Sequence, residues 1–434
     1  MSTFQIAVLG IFSSLILVGV GVFAAFGGVL GGGSIGPVTI WGTLDQQTMQ
    51  GLIEALRTTD KGLESVTYVQ KSAASYEADL VNAMASGAGP DLYLLSGDEV
   101  LSFADKTLTI PFSAVSQGSY LSSFVDEAQI FLTPQGALAL PFTLDPVVMY
   151  WNRDLFASAG VASPPSLWSE FLTLAPKITS LDANSTLRKS AVALGEWRNI
   201  PHAKDILAGL FMQVGDSIVA RQGDGTPAVV LGGESVNSGG NPAESALRFY
   251  TEFANPTKTS YSWNRSLPSA PDAFVSGDVA MYFGFASEYA SIAQRNPNLR
   301  FAAALLPQIS QGAGRVTYGS ITGLAVARTS KNPQGALEVA EKLSGKDGIG
   351  LISGALSLPP VRRDVGVDTA GSATAGVFVQ SGLIARGWLD PNPRESDSVF
   401  QTMIESVVSG KAPPATAVAE GAQALSELLP GAQR

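Results

Sequence analysis

From Pro37 onward the chain alternates short β-rich runs with amphipathic helical stretches, which restricts it to α/β lobes whose ligands sit at the carboxyl ends of strands. Val38 to Trp41 reads as the first strand. Gly42-Thr43 follows, then a helix whose apolar positions Met49, Leu52, Ile53 and Leu56 recur at helical spacing. Tyr76 to Met84 gives a second helix with Leu80, Val81 and Met84 on one face, stopped by Ser86-Gly87-Ala88-Gly89-Pro90 before a strand at Asp91 to Leu95. Pro141 to Phe156 reads as a strand entering a helix, and Pro164 to Phe171 as a turn into the next helix, capped by Ser166 with Glu170 in its first turn. Phe274 to Phe283 reads as helix end, turn and strand, and Gly319 to Val326 as another apolar strand.

With 434 residues the chain exceeds the roughly 250 to 300 at which one hydrophobic core stops growing, so two lobes are expected. Its 45% apolar and 15% charged residues support buried cores. A net charge of -10, with no Lys/Arg run, argues against nucleic acid as a partner. The absence of cysteine and the single histidine, His202, remove thiolate nucleophiles, disulfides and multi-histidine metal clusters, so no cofactor or metal is expected. His202, beside Pro201 in a polar stretch, reads as structural or solvated.

No charged side chain precedes Asp45, and Ile6 to Phe26 is a nearly continuous apolar run long enough for about 30 Å of hydrocarbon. Without a basic n-region, and with an overlong core, it reads as an uncleaved anchor over residues 4–30 rather than a signal peptide. Residues 31–36 close a glycine-rich leash, and the folded body is expected from Pro37.

Four segments then carry a resemblance to the family 1 solute-binding proteins of ABC importers, the group containing the maltose-binding proteins. They are Ser75 to Tyr93 (S-Y-E-A-D-L-V-N-A-M-A-S-G-A-G-P-D-L-Y), Leu140 to Gly160 (opening L-P-F-T-L-D-P), Ala273 to Gly284 (A-F-V-S-G-D-V-A-M-Y-F-G) and Ala355 to Asp364 (A-L-S-L-P-P-V-R-R-D). The resemblance implies a two-lobed periplasmic-binding-protein type II fold closing over a ligand. Its first lobe would be 37–145 with 313–357, and its second 146–312 with 358–434. It implies a monomer held on the extracytoplasmic face of the cell membrane, delivering a small ligand to importer membrane subunits without transforming it. By position it suggests Asp45, Asp98, Asp145 and Glu196 as ligand-binding acids. Gln46, Leu95, Glu99, Arg198 and Ser287 depart from the maltose-type pattern and put a maltodextrin ligand in doubt.

Sugars present hydroxyl groups to carboxylates and flat C–H faces to aromatic rings, so a sugar cleft needs acids and exposed Trp or Tyr. Trp151 and Trp168 read as core. Trp41, at a strand end, fits core or cleft alike. Trp197, Trp263 and Trp388 lie in loop-like polar surroundings that suit ligand stacking. Without the resemblance, Asp45, Asp98 and Asp145 would read as solvated loop acids, and Arg362 either reaches ligand or pairs with an acid. The cleft acids of the first lobe, counting Glu99, favour an uncharged or cationic ligand, foremost a neutral sugar or oligosaccharide. Two other readings keep the same residues: a carboxylate-dependent glycoside hydrolase, and a receptor domain feeding a signalling partner.

Overall fold

The computed structural model describes residues 35–233, 241–312 and 314–429; the expected anchor at 4–30 lies outside the described residues. Among the described residues no helix is long and apolar enough to cross a membrane. The folded body takes in Ile35, two residues earlier than expected: its side chain is buried and its carbonyl accepts a hydrogen bond from Asn332 Nδ2 at 2.7 Å.

Ten strands make the main sheet: β1 (Val38–Gly42), β2 (Val66–Gln70), β3 (Leu92–Ser96), β4 (Leu140–Asn152), β5 (Ser180–Leu181), β6 (Leu187–Val192), β7 (Val279–Phe285), β8 (Phe301–Ala304), β9 (Thr317–Val326) and β10 (Ala385–Arg386). Their order is β2-β1-β3-β9-β4-β7-β6-β5, with β8 added to β4 and β10 to β9. Pairing is parallel among β2, β1 and β3 and between β6 and β7. Leu92, Tyr93, Leu94 and Leu95 are all buried, as expected of a strand covered on both faces.

The 13-residue strand β4 divides the sheet into two halves. Its amino-terminal part pairs with β9, ending at Pro146 opposite Gly319, and from Val147 onward it pairs instead with β7. Proline cannot donate to a ladder, so Pro146 suits the point where β4 changes partners. The helices sort accordingly. Gln46–Arg57, Pro333–Leu343 and Lys346–Leu356 pack around the β1–β3 half, whereas Ala203–Gln213, Pro242–Glu252, Pro393–Val408 and Pro414–Leu428 pack together on the other.

The local forces are ordinary ones. Helix Gln46–Arg57 buries Met49, Leu52, Ile53 and Leu56, the stripe read from the sequence, and Tyr76–Ala85 buries Tyr76, Leu80 and Met84. The turn at Ser166 differs from expectation. Trp168–Glu170 is a 3-10 turn leading into helix Phe171–Ile178, and Glu170 Oε2 accepts from the Ser166 backbone N–H at 3.0 Å, so only the glutamate half of a capping box forms.

Candidate functional site

The segments after β3, β6 and β7 carry the charged side chains of the candidate cleft between the two halves of the sheet. From the first half come Asp98 and Glu99, on the 3-10 turn Gly97–Glu99 that follows β3. Asp98 Oδ1 is shielded from solvent and has no hydrogen-bond partner among the described residues. The Asp98 charge adds to the burial that raises Asp205 and Asp390 of the opposite half. Burial, then the charges of Asp98 and Glu77, push Glu99 up to about 7.

The second half answers with two tied-down cations. His202 precedes helix Ala203–Gln213, with Nε2 2.8 Å from Glu288 Oε1 and Nδ1 3.6 Å from Asp205 Oδ2. Burial favours the neutral ring, but Asp205 and Glu288 outweigh it and raise the imidazole to about 9, so His202 is a cation at neutral pH. Glu288 is fixed further: Tyr282 Oη donates to Oε2 at 2.6 Å and the Phe285 N–H to Oε1 at 2.7 Å. Gly284 permits this, because a Cβ there would lie 2.7 Å from Glu288 Oε1. Lys204 Nζ stands 2.7 Å from Asp390 Oδ2 and 2.9 Å from Asp397 Oδ1. Asp205 is raised by burial and by Asp98, against the pull of His202 and Lys204.

Tyr318, on β9 between the halves, is 8% exposed, and its hydroxyl makes no hydrogen bond with a described residue. Burial and then the charges of Asp205, Asp98, Glu127 and Asp390 hold the phenol well above its ordinary range. Glu127 is itself buried, both its carboxylate oxygens lacking partners among the described residues, and backbone at Gly319 and Gly387 lies close against it.

The residues singled out from sequence fall into two groups. Asp98 and Glu99 line the cleft. Asp145 borders it at the hinge strand, but its Oδ1 accepts the Ser287 N–H at 3.1 Å, tying the hinge to helix Glu288–Arg295; burial lifts its carboxyl to about 6. Trp197 is partly buried in the loop after β6. The others are engaged elsewhere. Asp45 caps helix Gln46–Arg57 through the N–H and hydroxyl of Thr48, at 2.9 and 3.0 Å. Glu196 is buried 3.5 Å from Arg265. Trp263 is a core residue, 1% exposed, its indole N–H donating to Asn199 Oδ1 at 3.0 Å. Trp388 is buried against Phe400. Trp41 carries Lys71 over its ring at 3.6 Å. Arg362 forks onto Asp364 at 2.8 and 3.0 Å and lies over Phe124.

His202, Asp205, Glu288, Asp390 and Tyr318 are the cleft residues that sequence reasoning passed over. Nothing local marks them, since His202 and Glu288 meet across 86 positions through the pairing of β6 with β7. A separate cavity of about 420 Å³, lined by Tyr289, Gly354, Leu358, Val367, Phe378 and Val379 among others, has no acid in its wall and lies apart from this chemistry.

A family model for the bacterial extracellular solute-binding proteins matches residues 42–349. A protein of Brucella abortus (strain 2308) described as a binding protein is 24% identical over 282 residues, 62% of this chain and 61% of that protein. A counterpart in Brucella suis biovar 1 (strain 1330) matches to the same extent, so the chain spans about three-fifths of the length of these curated relatives. Among solved structures, an ABC transporter solute binding protein from Thermotoga lettingae TMO bound with α-D-tagatose is 21% identical, with a TM-score of 0.66 over 91% of this chain and 100% of that one. A cyclo/maltodextrin-binding protein complexed with maltotetraose is 17% identical, with a TM-score of 0.73 over 92% and 98%. The cyclic α-maltosyl-1,6-maltose binding protein from Arthrobacter globiformis is 17% identical, with a TM-score of 0.73 over 91% and 99%. At such identities the likeness fixes the fold, which is the two-lobed periplasmic-binding-protein type.

Proposed function

The chain belongs to the bacterial extracellular solute-binding proteins, and we propose that it captures a sugar or oligosaccharide between its lobes and passes it unchanged to the membrane subunits of an ABC importer. The observation that carries this reading is the turn after β3, where Asp98 Oδ1 is shielded from solvent and has no hydrogen-bond partner among the described residues. Carboxylates there can accept hydrogen bonds from a polyhydroxylated ligand, and lobe closure excludes water from the contact. Sugar ligands in the structural neighbours from Thermotoga lettingae and in the maltodextrin binder agree with it.

In this reading residues 37–145 with 313–357 form one lobe and 146–312 with 358–434 the other. Residues 4–30 anchor the monomer on the extracytoplasmic face of the membrane. The excess of acids disfavours uronates and sugar phosphates.

Thermal-shift measurements on the full chain in detergent, across a sugar panel, test the proposal. A ligand bound only by the folded state stabilises it by about 2.7 kcal/mol at a hundredfold excess over its dissociation constant. A panel in which no sugar raises the melting temperature, or in which a bound sugar is cleaved, overturns the reading.

A further inference from the structure

We propose that the cavity of about 420 Å³ beside Tyr289 is a second binding site, separate from the sugar cleft, for a neutral molecule with an apolar ring body and one hydroxyl group, a phenol or a cyclic alcohol. It goes beyond the sugar reading and does not depend on it.

The walls leave room on purpose-shaped surfaces of small residues. Gly350, Ser353, Gly354 and Ser357, the last of which ends helix Lys346–Leu356, recur at spacings of three and four, so they lie along one face of that helix and form one wall. A Cβ built on Gly354 would meet nothing within 4 Å, and the same holds for Gly366, which lines the cavity from the loop that follows. Tyr289 and Phe378 add aromatic surface, their ring centroids 6.1 Å apart and their planes at 80°. Such a pair offers a guest ring both an edge and a face. Val367, exposed on the loop, belongs to the same lining and gives a ligand a way in. The volume lies within the roughly 300–1,000 Å³ usual for small-molecule sites, which are apolar with a few polar groups to fix orientation.

Ser353 supplies such a polar group. Its side chain is 8% exposed, and its hydroxyl makes no hydrogen bond with a described residue. Its carbonyl is taken by the Leu358 N–H at 3.0 Å, so the hydroxyl is the group left to act. The oxygen is not sealed off by its neighbours, as that of Ser381 is, so a ligand can reach it. A hydroxyl both donates and accepts, and one hydroxyl on the ligand satisfies it. No lining residue is charged. An ionised ligand would therefore lose water without gaining a partner, and a sugar would bring several hydroxyls to a wall that is mostly apolar.

The test is calorimetric titration of the full chain in lipid nanodiscs, with empty nanodiscs as the blank, because detergent would itself enter an apolar cavity. The probes are 2-naphthol, naphthalene and 2-naphthoate, which share one ring body and differ in the polar group. The expected result is 2-naphthol bound a few-fold more tightly than naphthalene and at least about tenfold more tightly than 2-naphthoate. Gly354→Leu should fill the cavity and abolish 2-naphthol binding; should that variant fail to fold, Gly366→Leu takes its place. Ser353→Ala should bring 2-naphthol down to the level of naphthalene. No binding of 2-naphthol, binding that survives the filling variant, or 2-naphthoate held as tightly as 2-naphthol overturns the inference. A preference for 2-naphthol over naphthalene that persists in Ser353→Ala overturns the role given to that hydroxyl.

Discussion

Arg394 Nη2, in the first turn of helix Pro393–Val408, stands 3.4 Å from Glu77 Oε2 of helix Tyr76–Ala85, so an ion pair joins the two helices. Arg394 also draws down Glu99.

Both partners are well exposed, at 75% and 44%, and such pairs are worth about 0–1 kcal/mol. Arg394→Ala should therefore leave the melting temperature nearly unchanged while shifting the ligand-free protein toward the open form by at most about fivefold. Small-angle scattering checks this. The radius of gyration should rise in the variant at low salt and match the parent at high salt, and no difference at low salt would show that the pair does not hold the lobes.

Glu127 is expected to weaken the fold at neutral pH. Burial raises its carboxyl well above the ordinary value, against a smaller pull from Arg386. For an acid raised in the folded state, stability is full below the unfolded value near 4.5 and declines as pH rises past it. Glu127→Gln removes that decline, and it should be the more stable form at pH 8 by about 1–3 kcal/mol, with little difference at pH 4. Denaturant unfolding at the two pH values decides it; a variant less stable at pH 8 would mean that the ionised carboxylate has a partner in solution.

These contrasts show what sequence can carry. Periodicity located helix Gln46–Arg57 because Met49, Leu52, Ile53 and Leu56 report burial directly through their spacing. The family resemblance singled out Asp98, which the structure puts on the turn after β3, and strand ends are where α/β sheets bind ligands. Side-chain partners are another matter. Asp45 looks like any acid after a strand until Thr48 is seen donating to it, and Trp263 sits in a polar stretch because its indole N–H satisfies Asn199, 64 positions away. The cleft network of His202, Asp205 and Glu288 is set by strand pairing, and single-sequence reasoning has no access to pairing at that range.

Two tryptophans should separate accordingly. Trp263 is fully buried, so Trp263→Ala should cost about 3–5 kcal/mol of stability whatever the ligand. Trp197 is only partly buried, in the loop after β6, and Trp197→Ala should weaken ligand binding by more than about 1 kcal/mol with a smaller effect on folding. Chemical denaturation and titration of each variant test the pair. Loss of affinity from Trp263→Ala without loss of stability would reverse the assignment.

The single histidine makes the cleft electrostatics measurable, because the imidazole resonances of this chain can only come from His202. The ring is held between Glu288 and Asp205, and its pKa is raised from 6.5 to about 9. The sign follows from linkage: a base raised in the folded state contributes its full stabilisation below about pH 6.5 and loses it as pH climbs through 9. The difference between those values corresponds to roughly 3 kcal/mol as an upper bound. Titration by NMR should therefore show a midpoint near 9, and His202→Gln should be destabilised relative to the parent at pH 6 by a margin that shrinks toward pH 10. Gly284→Ala offers a control, since its Cβ would press on Glu288 Oε1 and loosen one of the two acids from the ring. The midpoint should then fall while that of the parent stays high. A parent midpoint at or below 6.5 would mean that neither carboxylate holds the imidazolium, and with it the picture of a cleft whose cations are already committed would fail.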